Sequence, residues 1–341
     1  MTNIGTASHL PTLRILLSEA MALVLRGALS KLLANQPFAI VSPHAEGCTD
    51  GSPLDVDLAF VSRDVIGLSS KHELTPETVR FYETMRLASS LRWVHIHSAG
   101  ADRPIYQDLM ARGVTVTDSA GINAPVVAQT ALAGLLALAR RFVPLQAAQR
   151  QHRWAPLIQS GLPRDLCGQT AVVVGWGHIG KQVGALLNAV GLHVIAVRRH
   201  LEPEPSATET LVYAQLMTVL PRADWLVLTC PLTDLTRGLV SARALACLPP
   251  HAHPINVARG EVVDEDALIR ALQSGRLAGA YLDVFEHEPL RPDSLFWDIP
   301  NVIVTPHSAG FSDGNAQRVE RLFLEGLKQW LSDDRYRMLR A

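Results

Sequence analysis

Three residues in the last quarter of the chain have the types and setting to act on one small molecule. Arg259 lies in Asn256-Val-Ala-Arg-Gly260, Glu288 in Glu286-His-Glu-Pro-Leu290, and His307 in Thr305-Pro-His-Ser308. Each follows an apolar run that reads as a strand. An imidazole titrates near neutral pH, so it can both give and take a proton. A buried carboxylate beside it favours imidazolium and fixes the tautomer. A guanidinium binds a carboxylate through its planar fork and stabilises negative charge developing on a neighbouring oxygen. Cation, acid/base and carboxylate together suit reduction of a 2-keto acid, with His307 as proton donor, Glu288 as its partner and Arg259 on the substrate carboxylate. His307 and Arg259 are thus candidate substrate contacts as well as catalytic ones.

Such a reduction needs a hydride source, and the chain offers a loop for one. Gly175-Trp-Gly-His-Ile-Gly180 follows the apolar run Ala171–Val174 and opens the helical pattern Lys181–Val190. In that setting Gly175 permits a tight turn, Gly177 lets the backbone approach a pyrophosphate, and Gly180 lets helix and strand pack closely. The helix start, with His178 and Ile179, offers free amides to phosphates. Val197-Arg198-Arg199-His200 ends the next strand, where an NAD enzyme usually carries an acid for the ribose hydroxyls. Two guanidiniums there suit a 2′-phosphate, so NADPH is the preferred cofactor. Glu202 lies close enough to serve a ribose, which keeps NADH possible. Asp283, at the end of a later strand, is placed to accept a hydrogen bond from a nicotinamide amide, or to be satisfied by a local cap. In the first part of the chain, His97-Ser-Ala-Gly-Ala-Asp102 follows a strand. Its small residues, Ala99 and Gly100 above all, would let backbone amides face a substrate carboxylate.

Apolar runs alternate with helical patterns along most of the chain, which implies parallel βαβ units. Expected strands in the first part are Arg14–Leu17, Phe38–Val41, Leu58–Val61, Trp93–Ile96 and Val114–Thr117, with helices over Ala20–Ala34 and Pro76–Leu87. Asn123 can cap the next helix, and Pro125 fits its first turn. That helix carries no charge until Arg140, so it must be covered on most sides. Phe142–Gln169, with three prolines, reads as an irregular arm. Six strands follow: Thr170–Val174, His193–Val197, Trp225–Thr229, Pro254–Val257, Gly279–Leu282 and Val302–Val304. Six is the count of a doubly wound dinucleotide-binding domain. The last helical segment, Gln317–Leu331, is read as returning to the first domain. The fold class is therefore α/β, with two doubly wound parallel-sheet domains. A Rossmann-type cofactor domain over 124–311 is inserted into a discontinuous flavodoxin-like substrate domain over 12–123 plus 312–341.

Composition bounds the rest. At 341 residues the chain has room for roughly two domains, and an apolar content of 48% supports large cores. A net charge of −1 supplies no global field for nucleic acid or an anionic membrane. Cys48, Cys167, Cys230 and Cys247 form no Cys-x-x-Cys pair, which argues for reduced thiols in a cytoplasmic protein and against a metal site. Met1–Pro11 reads as a loose tail rather than a signal peptide. The longest apolar stretch, Ala124–Ala139, contains Gln129 and Thr130 and falls short of the ~20 residues of a bilayer span.

Taken in order, Ser98-Ala-Gly-Ala-Asp102, Asn123-Ala-Pro125, Gly175–Gly180, Pro231-Leu-Thr-Asp-Leu-Thr236, Asn256-Val-Ala-Arg-Gly260, Leu282-Asp-Val-Phe285, Glu288-Pro-Leu290 and Thr305-Pro-His307 resemble the D-isomer-specific 2-hydroxyacid dehydrogenase family. The resemblance runs from about Leu91 to His307. It implies the roles argued for Arg259, Glu288 and His307, and substrate contacts from the backbone of Ala99 and Gly100. It also implies cofactor contacts around Cys230 and Pro231, Val257 and Ala258, and Asp283. It implies a homodimer joined through the nucleotide domain with an arm like Phe142–Gln169, on which Trp154 matches a tryptophan that reaches a neighbour's site in some members. Arg198 stands where NAD-using members carry Asp. Gln129 stands where many members carry Glu. Glu288 argues against formate dehydrogenase chemistry, which has Gln there. The implied activity is hydride transfer from NADPH to a small keto acid of the glyoxylate or hydroxypyruvate type, giving the D-2-hydroxy acid. Two alternatives stand beside it: an NAD-dependent D-2-hydroxyacid dehydrogenase for a bulkier substrate, and a nucleotide-sensing, corepressor-like binding protein.

Overall fold

A computed structural model describes residues 10–43, 55–70 and 73–332. Cys48 and residues 1–9 of the expected tail lie outside the described residues. The chain divides into two units, Met1–Ile122 with Asp313–Ala341, and Asn123–Ser312.

The first unit holds strands β1 (Leu13–Leu16), β2 (Phe38–Val41), β3 (Leu58–Val61), β4 (Trp93–Ile96) and β5 (Thr115–Thr117). They form one parallel sheet in the order β2-β1-β3-β4-β5, the flavodoxin-like arrangement. Adjacent residues of a strand point to opposite faces, and two cores result. Ile15 and Phe60 pack with Leu25 and Leu29 of helix Glu19–Leu32 and Phe323 of helix Asn315–Ser332. Leu16 and Val61 pack with Phe81 and Met85 of helix Pro76–Leu87 and Leu109 of helix Pro104–Ala111. Phe323 stacks on Phe60 at 4.5 Å between ring centroids, which seats the C-terminal helix on this sheet. The sheet is thus covered on both faces, as an all-parallel sheet requires.

The second unit holds seven parallel strands, one more than the apolar runs announce. They are β6 (Thr170–Val174), β7 (His193–Arg198), β8 (Glu209–Val212), β9 (Trp225–Leu228), β10 (His253–Asn256), β11 (Ala280–Leu282) and β12 (Val302–Val304). The order is β12-β11-β10-β9-β6-β7-β8. The extra strand, β8, is an edge strand; all four of its residues are half-buried, so it lacks the apolar run of a central strand. Ala171 and Val173 of β6 join one core while Val172 and Val174 join the other. The strand order reverses between β6 and β9, which opens a crevice at their carboxyl ends.

Helix Ala124–Ala139 covers one face of this sheet through Val127, Ala131 and Leu135. Asn123 stands at its cap position, but its side chain makes no cap bond, unlike the expectation. Gly134 in this helix lies directly on the Tyr281 ring of β11: a Cβ there would meet Tyr281 Cγ at 2.4 Å. The segment expected to be an irregular arm begins with a helix, Phe142–Arg150. Pro144 sits in its first turn, where a missing amide costs nothing. Among the described residues no single helix is long and apolar enough to cross a membrane.

Candidate active site

His307 follows β12 in a loop with an uncommon backbone, φ +50°, in the left-handed region. Such a conformation in a residue with a Cβ needs holding in place. The hold comes from Asp283, just past β11. Its carbonyl accepts the His307 amide at 2.8 Å. Its buried carboxylate accepts the Ser308 amide at 2.8 Å, the Ala309 amide at 3.0 and 3.1 Å, and the Thr305 hydroxyl at 2.6 Å. A carboxylate can only accept, so the Thr305 proton points to Asp283. Thr305 then takes its second bond, 2.9 Å, from the Tyr281 hydroxyl. Tyr281 stays a donor because burial pushes its pKa up to about 12. Asp283 was expected at the nicotinamide amide or in a local cap; the bonds it makes here are those of the loop that carries His307.

The His307 imidazole is half-exposed, and its Nδ1 lies 2.8 Å from Glu288 Oε2. The other carboxylate oxygen accepts the Phe285 amide at 3.1 Å. Burial pushes the Glu288 carboxyl up, but the His307 hydrogen bond and charge, the Phe285 amide and the Arg259 charge outweigh it and hold the carboxyl below its ordinary range. Glu288 is therefore ionised, and a proton on Nδ1 points toward it. That leaves Nε2 as the nitrogen for exchange with another molecule.

Arg259 leaves β10 through a short, pinned loop. Asn256 Oδ1 accepts the Ala258 amide at 3.0 Å and its Nδ2 donates to the Arg259 carbonyl at 3.0 Å. Arg259 Nη1 donates to the Ala258 carbonyl at 2.7 Å. Gly260 lets this loop press against the one bearing Glu288, since a Cβ would fall 1.8 Å from Phe285 C. Arg259, Glu288 and His307 thus arise from loops after β10, β11 and β12, at one edge of one sheet, and the Arg259 charge acts on Glu288.

The glycine loop lies at the switch in strand order. Gly175 has φ +99°, and a Cβ on it would fall 2.4 Å from the Cys230 amide nitrogen. A Cβ on Gly180 would fall 1.9 Å from Gly175 O. At Gly177 a Cβ would meet nothing within 4 Å, and Gly177 is the N-cap of helix His178–Ala189 with no side-chain cap bond. Two glycines here serve packing and the third faces open space beside an uncapped helix start that includes His178 and Ile179. This fits a pyrophosphate. A cleft of about 460 Å³ adjoins the loop, lined among others by Trp176, Arg198, Arg199, His200, Tyr213 and Pro231. Cys230, next to the lining residues Thr229 and Pro231, is buried, and burial pushes its thiol up to about 12, so it is neutral. Val257 and Ala258, which lead from β10 into Arg259, are buried.

Arg198 reaches the cleft with partners already in place. Its guanidinium pairs with Glu202 at 3.0 Å and Glu204 at 3.2 Å. Sequence reasoning noted Glu202, quoted Trp176 and Leu235 only as members of strings without a role, and missed Glu204 and Tyr213, which only side chains converging from separate loops reveal. Ala99 and Gly100 lie on the loop after β4 in the first unit, where the Ser98 hydroxyl donates to Gly100 O at 3.0 Å. Among the described residues no group of three or more His, Cys, Asp or Glu side chains is placed to hold a metal ion. His251 instead pairs with Asp224 at 2.9 Å, and His253 stacks on Trp225.

Comparison with known proteins accords with this geometry. Residues 132–309 match the model of the D-isomer specific 2-hydroxyacid dehydrogenase, NAD binding domain. A glyoxylate reductase of Thermococcus gammatolerans is 34% identical over 245 residues, covering 69% of this chain and 72% of that one. A D-isomer specific 2-hydroxyacid dehydrogenase family protein from Aeromonas salmonicida superposes with a TM-score of 0.75 at 26% identity, covering 95% of this chain and 96% of that one. A D-isomer specific 2-hydroxyacid dehydrogenase from Xanthobacter autotrophicus, in complex with NADPH and MES, superposes at 0.70 with 29% identity, covering 94% of each.

Proposed function

The chain belongs to the D-isomer-specific 2-hydroxyacid dehydrogenase family and is an NAD(P)-dependent enzyme, and we propose that it reduces glyoxylate, hydroxypyruvate or a similarly small 2-keto acid to the D-2-hydroxy acid with NADPH. The observation that carries the catalytic reading is the Glu288–His307 pair at 2.8 Å, with Glu288 ionised. A dinucleotide held through its pyrophosphate at the glycine loop would supply the hydride from its nicotinamide. His307, its Nδ1 proton directed to Glu288, delivers a proton from Nε2 to the keto oxygen. Glu288 stabilises the imidazolium before that transfer and keeps the ring oriented after it. Arg259 holds the substrate carboxylate and stabilises negative charge on the oxygen as it develops. Ala99 and Gly100, on the strength of the family resemblance, are the backbone amides proposed for substrate binding.

Small substrates are favoured by the glyoxylate reductase likeness. The NADPH preference rests on Arg198 and Arg199 lining the cleft and on the NADPH-bound relative. One observation favours the alternative of NADH use: two carboxylates already face Arg198. We also infer a homodimer, because Trp154, Ile158 and Leu162 of the arm are 96%, 77% and 74% exposed, an apolar surface that a second copy would cover. A cytoplasmic setting suits the free thiols of Cys167, Cys230 and Cys247.

The direct test is steady-state oxidation of NADPH and of NADH against 2-keto acids from glyoxylate and hydroxypyruvate up to phenylpyruvate. Fast NADPH oxidation with one small acid supports the whole reading. Faster NADH oxidation with phenylpyruvate replaces it with the bulkier-substrate dehydrogenase.

A further inference from the structure

We propose that Glu204 sets the cofactor selectivity of this enzyme, acting as an internal anion on Arg198 that a 2′-phosphate must share or displace. The inference rests on Arg198 being the phosphate-binding cation.

Glu204 stands in the loop that joins β7 to β8. One of its carboxylate oxygens, Oε1, meets two cations: Lys181 Nζ at 2.9 Å and Arg198 Nη1 at 3.2 Å. Lys181 belongs to the helix that starts at the glycine loop, and Arg198 is the last residue of β7. Glu204 therefore ties together the two elements that frame the adenosine end of a dinucleotide site. Its side chain is 15% exposed, against 69% for Glu202, the other carboxylate on Arg198. The exposed pair is solvated, screened and worth little; the enclosed one is held. The Lys181 hydrogen bond outweighs burial, which pushes the other way, and with Trp176 and the charges of Lys181 and Arg198 it keeps the Glu204 carboxyl below its usual range, so the negative charge persists at working pH.

The loop holds Glu204 firmly. Asn188 Nδ2 donates to Ser206 O at 2.6 Å, the Ala207 amide donates to Glu204 O at 2.9 Å, and the Thr208 amide donates to Val194 O at 2.7 Å. These bonds staple the segment to the helix on one side and to β7 on the other. Glu204 does not itself line the cleft, whereas Arg198 does. The carboxylate thus shares the guanidinium with whatever enters the cleft.

Lys181, Arg198, Glu202 and Glu204 form a neutral set of two cations and two carboxylates. A phosphate in the cleft is drawn by Arg199, but at Arg198 it meets a cation already balanced by carboxylates and is repelled by Glu204. A cofactor without the phosphate meets neither effect. Glu204 therefore lowers affinity for NADPH selectively and keeps NADH within reach, although Arg198 occupies the place of the usual acid. Replacing Glu204 with Gln removes the charge and retains an oxygen that accepts from Lys181 and Arg198.

The test is calorimetric binding of NADPH, NADH, 2′,5′-ADP and 5′-AMP to the wild type, Glu204→Gln and Arg198→Gln, with thermal melts as a check on folding. Glu204→Gln should tighten NADPH and 2′,5′-ADP about fivefold, the equivalent of one partly enclosed charge pair, and leave NADH and 5′-AMP within about twofold. Glu204→Ala is the second variant if the amide disturbs the loop, with the same direction expected. Unchanged or weaker NADPH binding in both Glu204 variants overturns the proposal. If Arg198→Gln meanwhile weakens NADPH and spares NADH, only the role of Glu204 has failed. If Arg198→Gln leaves NADPH binding unaltered, the reading of Arg198 has failed and the proposal goes with it.

Discussion

The carbonyl of Asp283 accepts the amide of His307 at 2.8 Å, while the carboxylate of the same Asp283 takes the next two amides of the loop. One residue thereby fixes a left-handed backbone and the direction in which the imidazole leaves it. Asp283→Asn keeps the volume but replaces an acceptor oxygen with an N–H donor facing other donors. Loss of one or two such charge-assisted bonds, each about 1.5–3 kcal/mol, should lower kcat about 10–100-fold. NADPH affinity should stay within about threefold in binding titrations. A loss of NADPH affinity with kcat preserved would return Asp283 to the nicotinamide.

Glu288→Gln should lower kcat about 10–100-fold, as loss of a partner that orients a histidine commonly does. Its effect on stability depends on pH in a defined direction. The folded-state pKa of Glu288 is depressed, so its contribution is complete above the unfolded value of about 4.3 and is lost as pH falls through the folded value. The difference in Tm between wild type and Glu288→Gln should be steady from neutral pH down to about 5 and shrink below about 4. A difference that grows on acidification would contradict the depressed pKa.

Glu265 behaves in the opposite sense. Burial, with help from Glu286, Asp266 and Glu261, raises its carboxyl to about 7, against the Glu286 amide that favours the charged form. Stability linked to Glu265 is complete below about 4.3 and declines as pH rises through about 7. Glu265→Gln, which keeps an oxygen for the Glu286 amide, should raise Tm by a few degrees at pH 8 and change it little at pH 4. Equal shifts at both pH values would mean that no ionisation is involved.

The glycine loop separates folding from cofactor binding. Gly180→Ala drives a Cβ into Gly175 O and should lower Tm by several degrees or abolish soluble expression. Gly177→Ala meets nothing in the protein and should leave Tm within about 2 °C. It should nonetheless weaken NADPH about tenfold, because the methyl occupies the approach of the pyrophosphate. Calorimetry and melts on the two variants check both halves.

The sequence made the central strands legible at their true bounds where a run was wholly or almost wholly apolar, as at Leu58–Val61 and Thr170–Val174. It concealed β8, because an edge strand half in water carries Glu209 and Thr210 instead of an apolar run. It concealed helix Phe142–Arg150, because Pro144 reads as a breaker unless its place in the first turn is known. Arg259, Glu288 and His307 were visible as types in motifs, and the structure sets them on loops after successive strands. The supports of the His307 loop were not visible: Tyr281 reads as an ordinary strand residue, and Thr305 only as the start of the Thr-Pro-His string, until their hydroxyls are seen 2.9 Å apart. Glu204 was hidden for the same reason, since its partners lie 6 and 23 positions away along the chain.

The notch that Gly134 leaves over the Tyr281 ring has a consequence for descent. A tyrosine at position 281 is admissible only while position 134 has no side chain, and an alanine at 134 requires a smaller residue at 281. The two positions, 147 apart in the chain, are therefore expected to change together. Filling the glycine should cost the hydroxyl behind the His307 loop, while keeping the glycine leaves position 281 free to gain or lose that hydroxyl.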